Sequence, residues 1–255
     1  MSSGMPVVPA GNGQHPISLV VISANTLAAS TTFYSTLFGW HMQPMSAELT
    51  AVTAPAGPTA ALRANIPEGF PGIVPFIGVA DVDIALAGVV AAGATVERAT
   101  WTVPMVGKLA RFRDPSGTIY GLAQNVVPGA VPPMPWPFGS NPKPPAGTIC
   151  SVEMYAADGE EAARFFSGLF GWGTLATMPK YMAFDAGAGI VGVFQSHTPA
   201  LPAVAYIYVD DVATKLTEID AAGGKRLGAP MPMPGMGCFG YFTDPSGTSM
   251  GLIGP

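Results

Sequence analysis

The sequence is poor in charged residues, and this shortage narrows what the protein can be. Charged side chains make up 11% of its 255 residues, against roughly 25% in average soluble proteins. The eleven Lys and Arg residues are scattered and the net charge is -5. This pattern argues against a nucleic-acid partner, because nucleic-acid-binding proteins concentrate basic residues on one surface. With 49% hydrophobic residues, much surface must be hidden in cups, between domains or between subunits.

Long apolar runs and cysteines are also scarce. The most apolar stretch, 84–96, is preceded by Asp81 and Asp83 and is shorter than the ~20 residues that a bilayer-spanning helix needs. The N-terminus has no basic region followed by an apolar run, so we expect no secretory signal and no membrane partner. Cys150 and Cys238 are too few for a disulfide framework in so long a chain. We therefore expect a cytoplasmic protein with reduced thiols.

Two sequence phrases occur twice at a nearly constant separation. FYSTLFGW at 33–40 returns as FFSGLFGW at 165–172, and DPSG at 114–117 returns at 244–247. The two shifts are 132 and 130 positions. A constant shift of this kind is typical of an internal duplication, so we expect one domain made twice.

A proline-rich segment at 128–146 separates the two copies. Proline lacks an amide donor and fixes its own backbone angle, so this segment is expected to be a semi-rigid linker rather than a helix or an inner strand. Residues 1–13 are rich in Gly, Pro and Ser and are expected to form a disordered tail. Domain one then covers 14–127 and domain two covers 147–255.

Each domain is predicted to contain two βαβββ halves. In the first half a strand is expected at 17–23, and a helix is expected between Thr26 as its N-cap and Gly39 as its end. Asp158 is the equivalent cap in domain two. The DPSG phrases are predicted to be turns with a structural role, because Pro suits the second turn position and Gly the fourth.

These features resemble the vicinal oxygen chelate superfamily, which includes glyoxalase I, extradiol dioxygenases and bleomycin-resistance proteins. The resemblance rests on the two FGW phrases, on V-x-D-V helix entries at 79–82 and 209–212, and on RFRDPSGTIYGL with YFTDPSGTSMGL. It is closest to tandem glyoxalase-like proteins that are often labelled hydroxylases. The resemblance implies an α+β fold in which the two modules of each domain form a curled, mostly antiparallel eight-stranded sheet. Helices would cover its convex side, and its concave side would cup a ligand.

The resemblance also implies a metal site, but the sequence does not supply its ligands. Family enzymes carry His, Glu or Gln ligands on the first, fourth, fifth and eighth strands of a domain. The fourth-strand segments contain no His, Asp or Glu, and the other positions carry Leu19 and Ser151, Val74 and Val204, and Gly121 and Gly251. A divalent ion needs several converging N, O or S donors. We therefore expect no metal and no other cofactor, and we interpret His15, His41 and His197 as surface or hydrogen-bonded residues.

Alternation of side chains along strands predicts what lines each cup. The inward-facing residues of domain one are mostly apolar and carry almost no chemistry: Leu19, Val21, Ser23, Val74, Phe76, Gly78, Ile119, Gly121 and Ala123. The corresponding positions of domain two include six polar or aromatic residues that we predict to bind ligand: Ser151, Glu153, Tyr155, Tyr206, Tyr208 and Ser249. Aromatic walls with a few hydroxyls are typical of sites for small organic molecules.

Glu153 is the candidate catalytic residue. Burial in an apolar cup would raise the pKa of its carboxyl, which could then act as a general base, contact a ligand or only order its strand. Arg63 is either an anion ligand or, as we favour, an exposed residue at a strand edge. The loop carrying Met231, Met233 and Met236 either covers the cup or packs between domains or subunits.

Three functional hypotheses follow. The first is a metal-free protein that binds a small apolar or aromatic molecule in the domain-two cup. The second is an enzyme of the same superfamily, a lyase, dioxygenase or hydroxylase-like protein, with a non-standard site. The third is a structural or regulatory association module. A homodimer is among the expected assemblies.

Overall fold

The computed structural model describes residues 8–104, 106–126, 143–187 and 190–255. The helices are α1 (Leu27–Phe38), α2 (Val82–Ala91), α3 (Gly159–Phe170) and α4 (Val212–Ala221). The strands of domain one are β1 (Ile17–Ser23), β2 (His41–Ser46), β3 (Leu49–Thr53), β4 (Thr59–Arg63), β5 (Ile73–Val79), β6 (Thr95–Val103), β7 (Gly107–Arg113) and β8 (Ile119–Gln124). The strands of domain two are β9 (Ile149–Tyr155), β10 (Gly173–Met178), β11 (Tyr181–Asp185), β12 (Val191–Gln195), β13 (Val204–Tyr208), β14 (Lys225–Arg226), β15 (Met231–Met233), β16 (Gly237–Thr243) and β17 (Ser249–Gly254).

Each domain is a curled sheet made of two βαβββ modules, which confirms the predicted α+β fold class. The strand order is β2-β3-β4-β1-β5-β8-β7-β6 in domain one and β10-β11-β12-β9-β13-β17-β16-β14 in domain two. The parallel pairs of domain one are β1 with β4 and β5 with β8, and its other neighbours are antiparallel. Domain two has a ninth strand, because the equivalent of β6 is split into β14 and β15. Gly228, with φ of 120°, and Pro230 lie between the two pieces, and proline cannot donate to a ladder.

Local signals set most helix ends. Gly39 ends α1 and Gly171 ends α3 in the left-handed conformation, each with φ of 67°. The Asp158 carboxylate accepts hydrogen bonds from the amides of Glu160 and Glu161, as predicted for a cap. Thr26 is the N-cap residue of α1, as predicted, but its side chain makes no capping hydrogen bond. The amide of Thr26 instead donates to Ser246 Oγ of the other domain, at 3.0 Å.

The helices and the convex faces of both sheets form one continuous apolar core. Rings from opposite domains meet in this core: Phe33 lies 6.0 Å from Phe242, and Phe112 lies 6.3 Å from Phe165. The concave faces carry two separate apolar clusters, one in each domain. The two cups therefore open away from the shared core.

The DPSG turns join the domains, which confirms their structural role. Asp244 Oδ2 accepts hydrogen bonds from Ser30 Oγ at 3.2 Å and from Tyr34 Oη at 3.3 Å, both on α1 of the other domain. In the other DPSG turn, Ser116 Oγ accepts from the amide of Ala157 at 3.0 Å. Each turn is thus an interdomain contact rather than part of a cup.

The segment before domain one crosses to domain two. Residues 8–13, which the composition assigned to a disordered tail, lie against domain two: the amide of Asn12 donates to the carbonyl of Gly171 at 3.0 Å, and Val8 is buried in the domain-two concave cluster. Trp172 Nε1 donates to the carbonyl of His15 at 2.8 Å. The expected disorder at 1–7 and most of the predicted linker, at 128–142, lie outside the described residues.

Within the described residues, no helix has both the length and the apolar character needed to span a bilayer.

Candidate functional site

Domain two contains a cavity of about 280 Å³ on the concave side of its sheet. Strands β9, β11, β12, β13, β15 and β16 supply most of its walls. The lining residues are Ser151, Glu153, Met178, Tyr181, Val193, Tyr206, Met231, Met233, Met236, Phe239 and Tyr241. The cavity is therefore walled by methionines and aromatic rings, with one carboxylate among them.

A hydrogen-bonded chain of polar groups lies within this apolar lining. Tyr206 Oη donates to Glu153 Oε2 at 2.6 Å and lies 2.7 Å from Tyr241 Oη. Since the Tyr206 proton is given to the carboxylate, Tyr241 completes the chain by donating to Tyr206. Glu153 and Tyr206 are only 5% and 4% exposed. A buried carboxylate held by phenols in this way can accept a proton or a hydrogen bond from a bound molecule.

Burial governs the protonation of this chain. It raises the pKa of Glu153, while the hydrogen bond from Tyr206 and the nearby His197 partly oppose the rise. Burial and the negative charge of Glu153 raise the pKa of Tyr206 well above its usual range and that of Tyr241 to about 12. Both phenols therefore remain protonated at neutral pH and act as hydrogen-bond donors.

Tyr181 adds a third phenol to the cavity. Its hydroxyl lies 3.0 Å from His197 Nε2, and the two rings meet edge-on with centroids 5.3 Å apart. Burial and the charge of Glu153 raise the pKa of Tyr181. The hydrogen-bonded state expected for His197 is therefore confirmed.

Three of the six sequence-predicted ligand residues line the cavity: Ser151, Glu153 and Tyr206. The other three lie elsewhere. Tyr155 is half-buried at the end of β9, where its carbonyl accepts from Thr118 Oγ1 of domain one. Tyr208 is buried in the concave cluster, and its hydroxyl has no hydrogen-bond partner among the described residues. Ser249 begins β17 opposite Thr243. Alternation along a strand identifies the correct face but not how far the cavity extends along it.

Tyr181 and Tyr241 were not predicted to line the cavity. They lie on β11 and β16, whereas the predicted lining lies on β9, β13 and β17. Tyr241 pairs with Gly251 across β16 and β17, so the strand register was the signal that could have placed it. Met231, Met233 and Met236 all line the cavity, and the first two lie on β15 rather than in the predicted loop.

Domain one has a cup of similar size, about 270 Å³. Leu19, Val21, Val74 and Phe76 contribute apolar lining, as predicted. The expectation that this cup carries almost no chemistry was wrong, because three arginines also line it: Arg63, Arg98 and Arg111. Arg98 and Arg111 lie on β6 and β7, whereas the predicted lining lies on β1, β5 and β8.

The residues present do not fit the metal site that the resemblance implies. Leu19, Val74 and Val204 offer no donor atom, and Ser151 offers only a hydroxyl. A Cβ at Gly121 would lie 2.1 Å from the Phe76 ring, and one at Gly251 would lie 2.4 Å from the Tyr206 ring. Aromatic rings therefore occupy the space that a ligand side chain on the eighth strand would need.

Two further observations agree with this mismatch. On the fourth strand, Gln195 already uses its amide, donating to the carbonyl of Leu201 and accepting from the amide of His197. In the part of the chain that the structure describes, no three His, Cys, Asp or Glu residues are grouped to hold an ion.

A family model described as the glyoxalase/bleomycin resistance protein/dioxygenase superfamily matches residues 17–119 and 148–250. The chain belongs to this superfamily. The two matched ranges correspond to the two copies of the duplication, and the DPSG turns and FGW phrases fall within them. The resemblance stated from these phrases is therefore confirmed.

Named relatives in the superfamily have related but distant sequences. The chain is 26% identical over 250 residues to a protein of Mycobacterium tuberculosis named "Putative glyoxylase CFP32", with 89% of this chain and 90% of the relative covered. It is 26% identical over 127 residues to the anthracycline biosynthesis protein DnrV of Streptomyces peucetius, covering 42% of this chain and 46% of that protein.

A solved superfamily structure shows the same fold. The Mn(II)-bound glyoxalase from Novosphingobium aromaticivorans aligns with a TM-score of 0.65 over 96% of this chain and 83% of its own, at 17% identity. At this identity the likeness establishes the architecture alone.

Proposed function

We propose that this superfamily member binds a small, neutral, largely aromatic molecule in the domain-two cavity without using a metal. The observation that carries the proposal is the Glu153–Tyr206–Tyr241 chain inside a cavity of aromatic and methionine side chains. A cavity of about 280 Å³ is near the small end of ligand pockets, which suits a molecule of two or three fused rings.

The lining also indicates how such a ligand would be recognised. Aromatic walls favour flat rings through stacked and edge-on contacts, and Met231, Met233 and Met236 can adjust to their outline. A hydroxyl on the ligand can donate to Glu153, whose buried carboxylate has few other partners. The name of the relative DnrV, which refers to anthracycline biosynthesis, also agrees with an aromatic ligand.

The test measures binding of 2-naphthol by calorimetry to the full chain and to matched phenol variants. Tyr206→Phe removes a hydroxyl that holds Glu153, so affinity should fall by about tenfold, given roughly 1.5 kcal/mol for a hydrogen bond to a charged group. Tyr155→Phe makes the same chemical change outside the cavity and should leave affinity unchanged. The proposal fails if 2-naphthol and related bicyclic phenols do not bind, or if both variants weaken binding equally. It also fails if binding disappears when a tightly bound metal is removed.

A second function is favoured by one observation, the buried carboxylate of Glu153 with its raised pKa. A raised pKa makes a carboxylate a stronger general base. In this alternative, Glu153 removes a proton from a bound substrate, and the Tyr206 hydroxyl, released from the protonated carboxyl, can then donate to the substrate oxygen that becomes negative. Turnover that Glu153→Gln abolishes while ligand binding persists would establish the enzyme. Its rate should rise with pH as Glu153 ionises.

We also propose a cytoplasmic location without nucleic-acid or membrane partners. The free state of Cys150 and Cys238 supports a reducing compartment, and the scattered basic residues support the lack of a nucleic-acid partner. Fractionation of the native host, followed by detection of the protein, tests the location directly.

A homodimer is the assembly that we propose. Large apolar side chains on or just after α2 are exposed, with Ile84 at 74%, Val96 at 49% and Val90 at 43%, and burial of such side chains favours association. A dimer makes the melting temperature rise with protein concentration. That dependence should disappear in Ile84→Lys, whereas a concentration-independent melting temperature in the unmodified chain would rule the dimer out.

A further inference from the structure

Three arginines and two aromatic rings meet at the domain-one cup. The Arg111 guanidinium lies 4.7 Å from the ring centre of Phe70 and 5.5 Å from that of Trp101. Arg98 lies 4.1 Å above Trp101, and Arg63 lies 5.7 Å from Phe70. Cation–π contacts of this kind hold guanidinium groups in place while leaving their N–H donors unused.

Most N–H donors of these three arginines form no hydrogen bond with the residues that the structure describes. Arg111 is buried and bonds to Glu97 Oε2 through Nε alone, at 2.6 Å. Its two terminal nitrogens form no hydrogen bond with the described residues. Within the same described part of the chain, Arg63 and Arg98 have no ion pair. Burial lowers the pKa of Arg111, and the charge of Arg63 adds to this effect, as expected where like charges converge.

The local charge balance favours one bound negative charge. The three arginines carry three positive charges, and the nearby carboxylates of Glu97 and Glu48 carry two negative ones. The net charge of this group is therefore one positive charge. Glu48 lines the cup, but its Oε1 is engaged by Asn65 Nδ2 at 2.5 Å. A monoanion would neutralise the remaining charge, whereas a dianion would exceed it.

The rest of the cup is apolar. Leu19, Val74, Phe76 and Leu109 are buried members of one cluster and line the same cavity as the arginines. A ligand that satisfies both parts must carry an anionic group on an apolar body.

The equivalent residues of domain two have different chemistry. Arg63 on β4 lies opposite Leu49 on β3, and Gln195 on β12 lies opposite Tyr181 on β11. Gln195 therefore occupies in domain two the position that Arg63 occupies in domain one. Arg111 on β7 lies opposite Gly121 on β8, and Tyr241 on β16 lies opposite Gly251 on β17. Tyr241 therefore occupies the position of Arg111. The cationic character is therefore specific to domain one and is not a by-product of the duplicated fold.

We propose that the domain-one cup is a second ligand site, selective for an organic monocarboxylate with an apolar, flat body. The ligand carboxylate accepts hydrogen bonds from the terminal nitrogens of Arg111 and from Arg63, because the planar guanidinium group matches the geometry of a carboxylate. The body lies against Phe76 and Leu109. This site is independent of the domain-two cavity.

The experiment compares 2-naphthoate with its neutral counterpart 2-naphthamide by calorimetry on the full chain. We expect naphthoate to bind at least about tenfold more tightly than the amide, because charge-assisted hydrogen bonds are the stronger ones, and to weaken as salt is raised. Arg63→Gln, which installs the residue found in domain two, should remove most of this preference. Arg111→Gln should do the same if the variant folds.

Arg113→Gln is the matched control. Arg113 lies on the same strand as Arg111, is exposed and contacts the carbonyl of Gly117, so its loss should leave naphthoate affinity unchanged. Equal affinity for naphthoate and naphthamide would overturn the proposal. So would unchanged naphthoate binding in Arg63→Gln, or loss of that binding in Tyr206→Ala, which would place the carboxylate in domain two.

Discussion

Gly251 is the position where one added methyl group tests the geometry of the domain-two cavity. An ideal Cβ there would lie 2.4 Å and 2.5 Å from two ring atoms of Tyr206, where ordinary carbon contacts are about 3.5–4.0 Å. The ring cannot turn aside freely, because Tyr206 is buried and its hydroxyl bonds to both Glu153 and Tyr241. Gly251→Ala must therefore displace the ring and disturb the polar chain.

The expected cost follows from two opposing terms. Overpacking of a buried site costs about 1–3 kcal/mol, and replacing glycine by alanine within a strand returns roughly 0.5–1 kcal/mol of backbone entropy. A contact of 2.4 Å to a held ring places the overpacking cost in the upper part of its range, so the free energy of unfolding should fall by about 1–2 kcal/mol. In a chain of this size that corresponds to a melting temperature lower by about 2–8 °C. Affinity for 2-naphthol should fall as well, because the Tyr206 hydroxyl moves.

Urea unfolding of matched variants measures this cost. Gly88→Ala is the control, since Gly88 lies in α2 and its added Cβ would meet no atom within 4 Å, so that variant should be no less stable than the original chain. In the double variant Gly251→Ala with Tyr206→Ala, the clash is gone and the second substitution should cost less than it does alone. The predicted clash is refuted if Gly251→Ala is as stable as the control, or if the stability losses of Gly251→Ala and Tyr206→Ala add in the double variant.

Three further predictions concern the domain interface. Burial raises the pKa of Asp114 to about 7, so the folded protein holds a proton that the unfolded chain releases near pH 4, and the free energy of unfolding should fall as pH rises from about 4 to 7. Asp114→Asn should flatten that decline in urea titrations at several pH values, and an unchanged slope would contradict the assignment. Tyr34→Phe loses the phenol bond to the opposite DPSG turn and should cost about 1 kcal/mol in thermal unfolding, with no loss counting against the interdomain bond. Trp172→Phe removes the indole bond to His15, so hydrogen exchange of the Asn12 amide should accelerate, and unaltered protection would show that the segment is held otherwise.

The sequence predicted the features that depend on neighbouring residues. Glycine in the left-handed conformation ends α1 and α3, aspartate caps α3, and strand alternation found the cup-facing side of β9 and β13. The DPSG turns also formed where proline and glycine required them. All of these depend on interactions within a few residues of the chain, which is why a single sequence was sufficient.

The features that were missed depend on pairing between distant strands. Tyr241 and Arg111 reach their cups only because β16 and β7 pair in a particular register with β17 and β8. The amide of Thr26, at the start of α1, donates to Ser246 of the other domain, a contact that the neighbouring sequence does not indicate. The position of Val8 on domain two likewise follows from how the chain crosses between domains. Composition and periodicity carry no information about such distant contacts.

The shared core between the two helical layers has a consequence for how the protein can diversify. Two separate, identical single-domain chains that formed the same core between them would always have two identical cups. Joining the copies end to end removes that symmetry: one carries arginines and the other phenols, and the single chain keeps the two in a strict one-to-one ratio. Either hollow can therefore change its chemistry by substitution without altering the residues that hold the molecule together.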